Sequence, residues 1–248
     1  MSRTITLIVT RQDSPEGRPY KETFKIPYRS NMNVISALME IRKNPVNAEG
    51  KKVAPVVWEM SCLEEVCGAC SMVINGKARQ ACTALIDKLG DTITLEPMST
   101  FPVIRDLMVD RQRMFESLKK VKAWIPIDGT YDLGPGPRMP EAEREWAYEL
   151  AKCMTCGVCL EVCPNVGPHS KYMGPQAVNQ VRLFNTHPTG KMNAHERLEA
   201  LMGDDGLEGC GNSQNCVQAC PKGIPLTTSI AALNGDLTRY SMKRWMMS

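Results

Sequence analysis

Cysteine is the residue with the most chemistry to offer here, and its spacing is regular enough to sort. Cys62, Cys67 and Cys70 form C-x4-C-x2-C, and Cys82 follows beyond the turn-forming pair Asn75-Gly76. Three thiolates on one short loop, with a fourth brought back by a hairpin strand, is the spacing that wraps a compact [2Fe-2S] cluster. Gly68 and Ala69 keep bulk away from that loop. Structural zinc is the competing chemistry, but tetrahedral zinc usually takes two short two-ligand knuckles, which the longer first gap fits poorly.

A second set, Cys153, Cys156, Cys159 and Cys163-Pro164, reads C-x2-C-x2-C-x3-C-P. In that run the fourth cysteine ligates the other cluster of a pair, so a partner run should exist. Cys210, Cys216 and Cys220-Pro221 repeat the frame, with Ser213 where the middle cysteine would stand. Crossing the ligands gives a [4Fe-4S] cluster on Cys153, Cys156, Cys159 and Cys220. It leaves Cys163, Cys210 and Cys216 for another cluster, and three thiolates suggest [3Fe-4S]. A Ser213 hydroxyl could hold a fourth iron, although it is a weaker anionic ligand than a thiolate. Pro164 and Pro221 fix φ directly after a ligand and remove a backbone donor, which turns the chain away from the site.

The sets use all 11 cysteines, an odd number that cannot pair completely as disulfides within one molecule. Composition excludes other classes. With 30 basic against 27 acidic residues and a net charge of +3 there is no electrostatic footprint for nucleic acid. The first ten residues alternate polar and apolar side chains, so no export signal is expected there. No run approaches the roughly 20 apolar residues of a membrane-spanning helix, so membrane attachment would need a partner. A Gly-rich dinucleotide fingerprint, a Walker loop and a C-x-x-C-H haem site are all lacking.

The elements that must hold these ligands change character along the 248 residues, a length that admits two modest domains. Ile5, Leu7 and Val9 recur at every second position among threonines, and a second strand around Phe24 and Ile26 follows a turn-rich segment. Val34, Ala37, Leu38 and Ile41 have helical spacing, with Ser30 or Asn31 as the expected cap and Pro45 beyond the end. Residues 56–60, 71–74 and 93–95 read as further strands, with Asn75-Gly76 as a tight hairpin. This order resembles a β-grasp ferredoxin. From Val103 onward, Leu107, Met108, Met114 and Leu118 recur at helical intervals, as do segments near 141–152, 174–186, 194–203 and 217–234. The expected fold class is therefore α+β: a β-grasp [2Fe-2S] ferredoxin-like domain over 1–103, then an all-α helical ferredoxin domain over 104–248. Residues 128–140, rich in Gly and Pro, read as a loop.

Three clusters in this order, on this pair of domains, resemble the iron-sulfur subunit of succinate dehydrogenase and fumarate reductase, over nearly the whole chain. The carriers of the resemblance are Cys62-Leu-Glu-Glu-Val-Cys67-Gly-Ala-Cys70, Cys153-Met-Thr-Cys156-Gly-Val-Cys159-Leu-Glu-Val-Cys163-Pro164 and Cys210-Gly-Asn-Ser-Gln-Asn-Cys216-Val-Gln-Ala-Cys220-Pro221-Lys222. The resemblance implies a flavoprotein partner with covalently held FAD that oxidises succinate. It also implies passage of single electrons through [2Fe-2S], [4Fe-4S] and [3Fe-4S] to a quinone at a cytochrome b membrane anchor. The chain would then sit on the cytoplasmic side of the cell membrane, peripheral through that anchor, with no substrate site of its own.

Two departures from the pattern lie near the last cluster. Ubiquinone-linked relatives commonly place a tryptophan in the loop after the first Cys-Pro and a histidine after the first cysteine of the last run. Here the loop reads Asn165-Val-Gly-Pro-His169, and Gly211 follows Cys210. That is closer to menaquinone-linked members. His169 is a candidate hydrogen-bond donor to quinone, and Lys222 a candidate for balancing cluster charge. Glu64 and Glu65 should lower the first cluster's potential if unscreened. The end of the chain, residues 240–247, mixes Tyr240, Trp245 and methionines with Lys243 and Arg244, a composition suited to docking near lipid headgroups. Alternatives are fumarate reduction through the same chain of clusters, a free polyferredoxin, which the slight positive charge disfavours, and a zinc scaffold.

Overall fold

The computed structural model describes residues 3–126 and 138–247, so most of the Gly- and Pro-rich loop expected at 128–140 lies outside the described residues. The chain divides into two compact units, Met1–Arg111 with Met154–Glu161, and Gln112–Cys153 with Val162–Ser248.

In the first unit the alternation at Ile5, Leu7 and Val9 becomes β1 (Thr4–Arg11), whose inward side chains are fully buried. It pairs antiparallel with β2 (Tyr20–Pro27), Leu7 opposite Phe24. α1 (Val34–Lys43) buries Val34, Ile35, Ala37, Leu38 and Ile41. β3 (Ser71–Ile74) and β4 (Lys77–Gln80) form the hairpin expected at Asn75-Gly76, both residues having positive φ as a type I′ turn demands. β5 (Thr92–Glu96) lies parallel to β1 and antiparallel to β3, which gives the strand order β2-β1-β5-β3-β4. A parallel central pair inside a hairpin-built sheet, covered by one helix, is the β-grasp arrangement. The core of this unit includes Cys70 and Cys82.

Three local expectations are corrected. The cap of α1 is Asn33, not Ser30 or Asn31: its side chain accepts from the Ser36 N–H at 2.8 Å, and the Ser36 hydroxyl accepts from the Asn33 N–H in return. Residues 56–60 form no strand, because their backbone is claimed elsewhere. The Val57 N–H donates to the Asp106 carboxylate at 2.9 Å and the Val57 carbonyl accepts from Leu107. The helical spacing from Val103 belongs to a hairpin, β6 (Val103–Arg105) and β7 (Met108–Val109), turned at Asp106 with φ of 49°. Short apolar runs at mixed spacing do not distinguish these states.

Asp106 anchors this region. It is fully buried, and its carboxylate accepts from the Arg11 guanidinium at 2.8 Å and from the Gln12 N–H. Arg11, only 1% exposed, also pairs with Glu22 and donates to the Ala54 carbonyl. Burial alone would expel the charge on Arg11, and these acceptors hold its pKa above the usual value. Also in this unit is α4 (Val158–Glu161), whose terminal carboxylate accepts from the Ser99 N–H and hydroxyl and from the Thr100 N–H.

The second unit is helical: α2 (Gln112–Lys120), α3 (Glu141–Ala151), α5 (Pro175–Thr186), α6 (Ala194–Ala200), α7 (Asn215–Ala219) and α8 (Leu226–Met247). Pro175 opens α5, where a missing N–H costs nothing. The core joins Met173, Ala177, Val178 and Val181 to Leu198, Leu201, Ile230 and Leu233. The helix expected over 217–234 is broken after Ala219, where Cys220-Pro221 and Pro225 interrupt it, and α8 then runs on through residues 240–247. No described helix is long and apolar enough to cross a membrane.

Candidate iron-sulfur sites

The loop carrying Cys62, Cys67 and Cys70 turns its backbone N–H groups toward sulfur. Cys62 Sγ accepts from Glu64, Val66 and Cys67, the latter two at 3.3 Å, and Cys67 Sγ accepts from Cys62 and Ala69. Positive φ at Leu63, Glu65 and Gly68 makes this curl possible, a strained sequence of conformations of the kind kept at anion cradles. The donors, Glu64 and Val66 first, lower the Cys62 pKa to about 7. Cys82, buried and next to Cys70, has its pKa raised to about 11, with burial the larger cause. The set is thus two-sided: Cys67 is exposed and Cys62 half-buried, while Cys70 and Cys82 lie in the core.

Supports come from three elements. The Arg111 guanidinium donates to the Gly68 carbonyl at 2.8 Å, to the Ala69 carbonyl and to Glu59. Gln80 on β4 accepts from the Cys70 thiol and donates to Ser71, whose hydroxyl donates to the Gly68 carbonyl. The α1 cap Asn33 donates its amide to the Cys82 carbonyl at 2.8 Å. Glu65 accepts from the Thr83 hydroxyl, while Leu63 and Val66 stand exposed on the same loop. Sequence reading missed Arg111 and Asn33, since nothing local marks an arginine on another segment as the clamp of a loop.

Of the second set, Cys156 is buried in the first unit and Cys159 lies on α4. Cys153 donates its N–H to the Leu150 carbonyl at the end of α3, and Cys220 follows α7, both in the second unit.

The last three cysteines come together within the second unit. Cys163, Cys210 and Cys216 line one small cavity with Tyr172, Ser213 and Ile230 among its other walls. Burial raises the pKa of Cys163 and Cys216, each of which also feels the Cys210 thiol. The Asn165 and Val166 N–H groups favour the Cys163 thiolate. Positive φ at Asn212 and Gln214 bends the loop around Ser213. A Cβ added at Gly211 would stand 2.9 Å from the Asn165 amide nitrogen, so the side chain at 165 occupies the space a residue at 211 would need. His169 is exposed and Lys222 half-buried.

Among the described residues no three His, Cys, Asp or Glu side chains converge on a point for a single ion. A cluster asks for something else, thiolates spread over two or more irons rather than converging on one ion. Inward N–H donors, a mix of buried and exposed thiols, and three cysteines around one cavity fit such a group.

Comparison with known proteins agrees with these sites. Residues 6–116 match the 2Fe-2S iron-sulfur cluster binding domain, and residues 149–224 match the 4Fe-4S dicluster domain. The chain is 71% identical over 246 residues to the succinate dehydrogenase iron-sulfur subunit of Bacillus subtilis, covering 99% of this chain and 97% of that one. It is 29% identical to the fumarate reductase iron-sulfur subunit of Wolinella succinogenes, over 94% of this chain and 97% of that one. Its fold matches a chain of the Mycobacterium smegmatis Sdh1 complex in the apo form, with a TM-score of 0.74 and 23% identity, over 96% of this chain and 97% of that chain. Identity of this extent, end to end, together with both cluster domains, means that the chain belongs to the family of iron-sulfur subunits of succinate dehydrogenase and fumarate reductase.

Proposed function

We propose that this chain carries single electrons from a FAD-containing flavoprotein to a quinone, menaquinone by the departures near Cys210, at a cytochrome b anchor on the cytoplasmic side of the membrane. Cys62, Cys67, Cys70 and Cys82 hold [2Fe-2S]. By the crossing of ligands read from spacing, Cys153, Cys156, Cys159 and Cys220 hold [4Fe-4S]. Cys163, Cys210 and Cys216 hold [3Fe-4S]. When bound, the clusters supply one-electron carriers in series.

The observation that carries this reading is the cavity at Cys163, Cys210 and Cys216, which three thiols line, with Ser213 on its wall. The protein's own contribution is electrostatic. N–H donors to Cys62 and Cys67 favour the more negative, reduced form at the first site, and Glu64 and Glu65 oppose it. Thr83 ties up part of the Glu65 charge. The exposed apolar residues Leu63 and Val66 beside the surface thiols give a flavoprotein a dry edge to dock on, so the transfer distance stays short.

Succinate oxidation is the direction favoured by the 71% identical relative. Purification of the native complex tests the assignment: a flavoprotein and a haem-containing membrane protein should accompany the chain, with iron and acid-labile sulfide. A lone soluble chain that transfers electrons, or zinc without sulfide, would contradict it.

A further inference from the structure

We propose that the Tyr172 hydroxyl donates a hydrogen bond to a sulfur at the Cys163, Cys210 and Cys216 centre and so raises the reduction potential of that centre. The inference rests on the cluster assignment above.

Tyr172 is 1% exposed, and its hydroxyl pairs with no nitrogen or oxygen of the protein; the side chain it meets is the Cys210 thiol. A buried hydroxyl is costly unless it has an acceptor, and the acceptor offered to Tyr172 is sulfur. Tyr172 lines the same cavity as the three cysteines, and Cys210, then Cys163 and Cys216, are the charged groups its phenol feels most. A tyrosine hydroxyl is a donor as well as an acceptor, whereas a sulfur in a thiolate-ligated cluster can only accept.

The ring is held by its surroundings. Arg113 donates to the carbonyls of Gly167, Ser170 and Tyr172, at 2.8, 2.8 and 3.0 Å, and fixes the loop that follows Cys163. The Ser170 hydroxyl accepts from the Tyr172 N–H and donates to the Asn165 carbonyl. Asn165 in turn donates to the Gly209 carbonyl, next to Cys210. Gly209 admits the ring: a Cβ there would lie 2.8 Å from Tyr172 Cδ2. An ordinary phenol keeps its proton at neutral pH, so the proton is on oxygen and available to donate.

Adding one electron to the centre increases negative charge on sulfur and strengthens an O–H···S bond, with the proton remaining on tyrosine. Tyr172 is thus a positioning and tuning residue that takes no part in carrying the electron. The test is Tyr172→Phe in the intact complex, which keeps the ring and removes only the donor. Redox titration of the paramagnetic signal of the oxidised three-iron centre should show the reduction equilibrium falling about tenfold, about 59 mV for one electron. A change well below that would overturn the proposal. In the unaltered complex, transfer to deuterated water should place an exchangeable deuteron in coupling with that signal. Absence of the coupling would overturn the proposal without any variant. If the unaltered complex has no three-iron signal, the cluster assignment fails first and this inference with it.

Discussion

The α-carbon of Gly68 lies so close to Cys156 that a methyl group added to it would stand 2.8 Å from both Cα and Cβ of that cysteine. Gly68 belongs to the loop of the first cysteine set and Cys156 to the second, and both are in the first unit. The packing brings the backbone around one proposed cluster against a ligand of the next, with no side chain between.

Gly68→Ala should therefore damage assembly. The residue has φ of +72°, where an alanine costs about 1–2 kcal/mol, and the clash with the Cys156 backbone adds to that. Thermal unfolding should move down by at least this amount, with less [2Fe-2S] per chain by absorption. An alanine variant with unchanged stability and cluster content would mean that the close approach is unimportant.

Arg111→Met should loosen the same loop. It removes donors to the Gly68 and Ala69 carbonyls and the pair with Glu59, a loss on the order of 1.5–3 kcal/mol for hydrogen bonds from a charged group. Removing a cation also disfavours the reduced cluster, so the [2Fe-2S] potential should fall in a redox titration. Arg111→Lys should restore much of the potential but not the loop's stability, because one ammonium cannot reproduce the fork.

Asp106→Ala tests the scaffold without touching a cysteine. It leaves the Arg11 guanidinium and the N–H groups of Gln12 and Val57 short of an acceptor in the interior. Breaking a buried pair from one side costs about 3–5 kcal/mol, to be read in denaturant unfolding. Asp87→Ala, at the exposed pair with Arg3, should change little by comparison.

The gathering of Cys163, Cys210 and Cys216 around one cavity was legible in the sequence because metal chemistry constrains residue type and spacing together, and the strands of the first unit were legible because Ile5, Leu7 and Val9 keep a period of two. The segment at 56–60 was not. Its fate is decided by Asp106, which lies far along the chain, and local propensity carries no information about such a partner. The β6–β7 hairpin was hidden because Val103, Leu107 and Met108 satisfy a helical template by accident of spacing. Arg111 and Tyr172 gave no local signal, since their importance lies in carbonyls and thiols that only the fold brings to them.

Ser213→Cys should add a thiol to the wall of the cavity at Cys163, Cys210 and Cys216. The expected outcome is a four-iron centre, seen as loss of the signal present in the oxidised complex and appearance of a new signal on reduction. Retention of the three-iron signal would show that Ser213 does not stand at the open corner.

Quantitative electron paramagnetic resonance of the oxidised complex tests the central claim most directly. [2Fe-2S] and [4Fe-4S] are silent when oxidised and [3Fe-4S] is not, so about one spin per chain is predicted, with signals from the other two clusters emerging on stepwise reduction. No spin in the oxidised complex, or zinc in place of iron at any of the three cysteine sets, would contradict it.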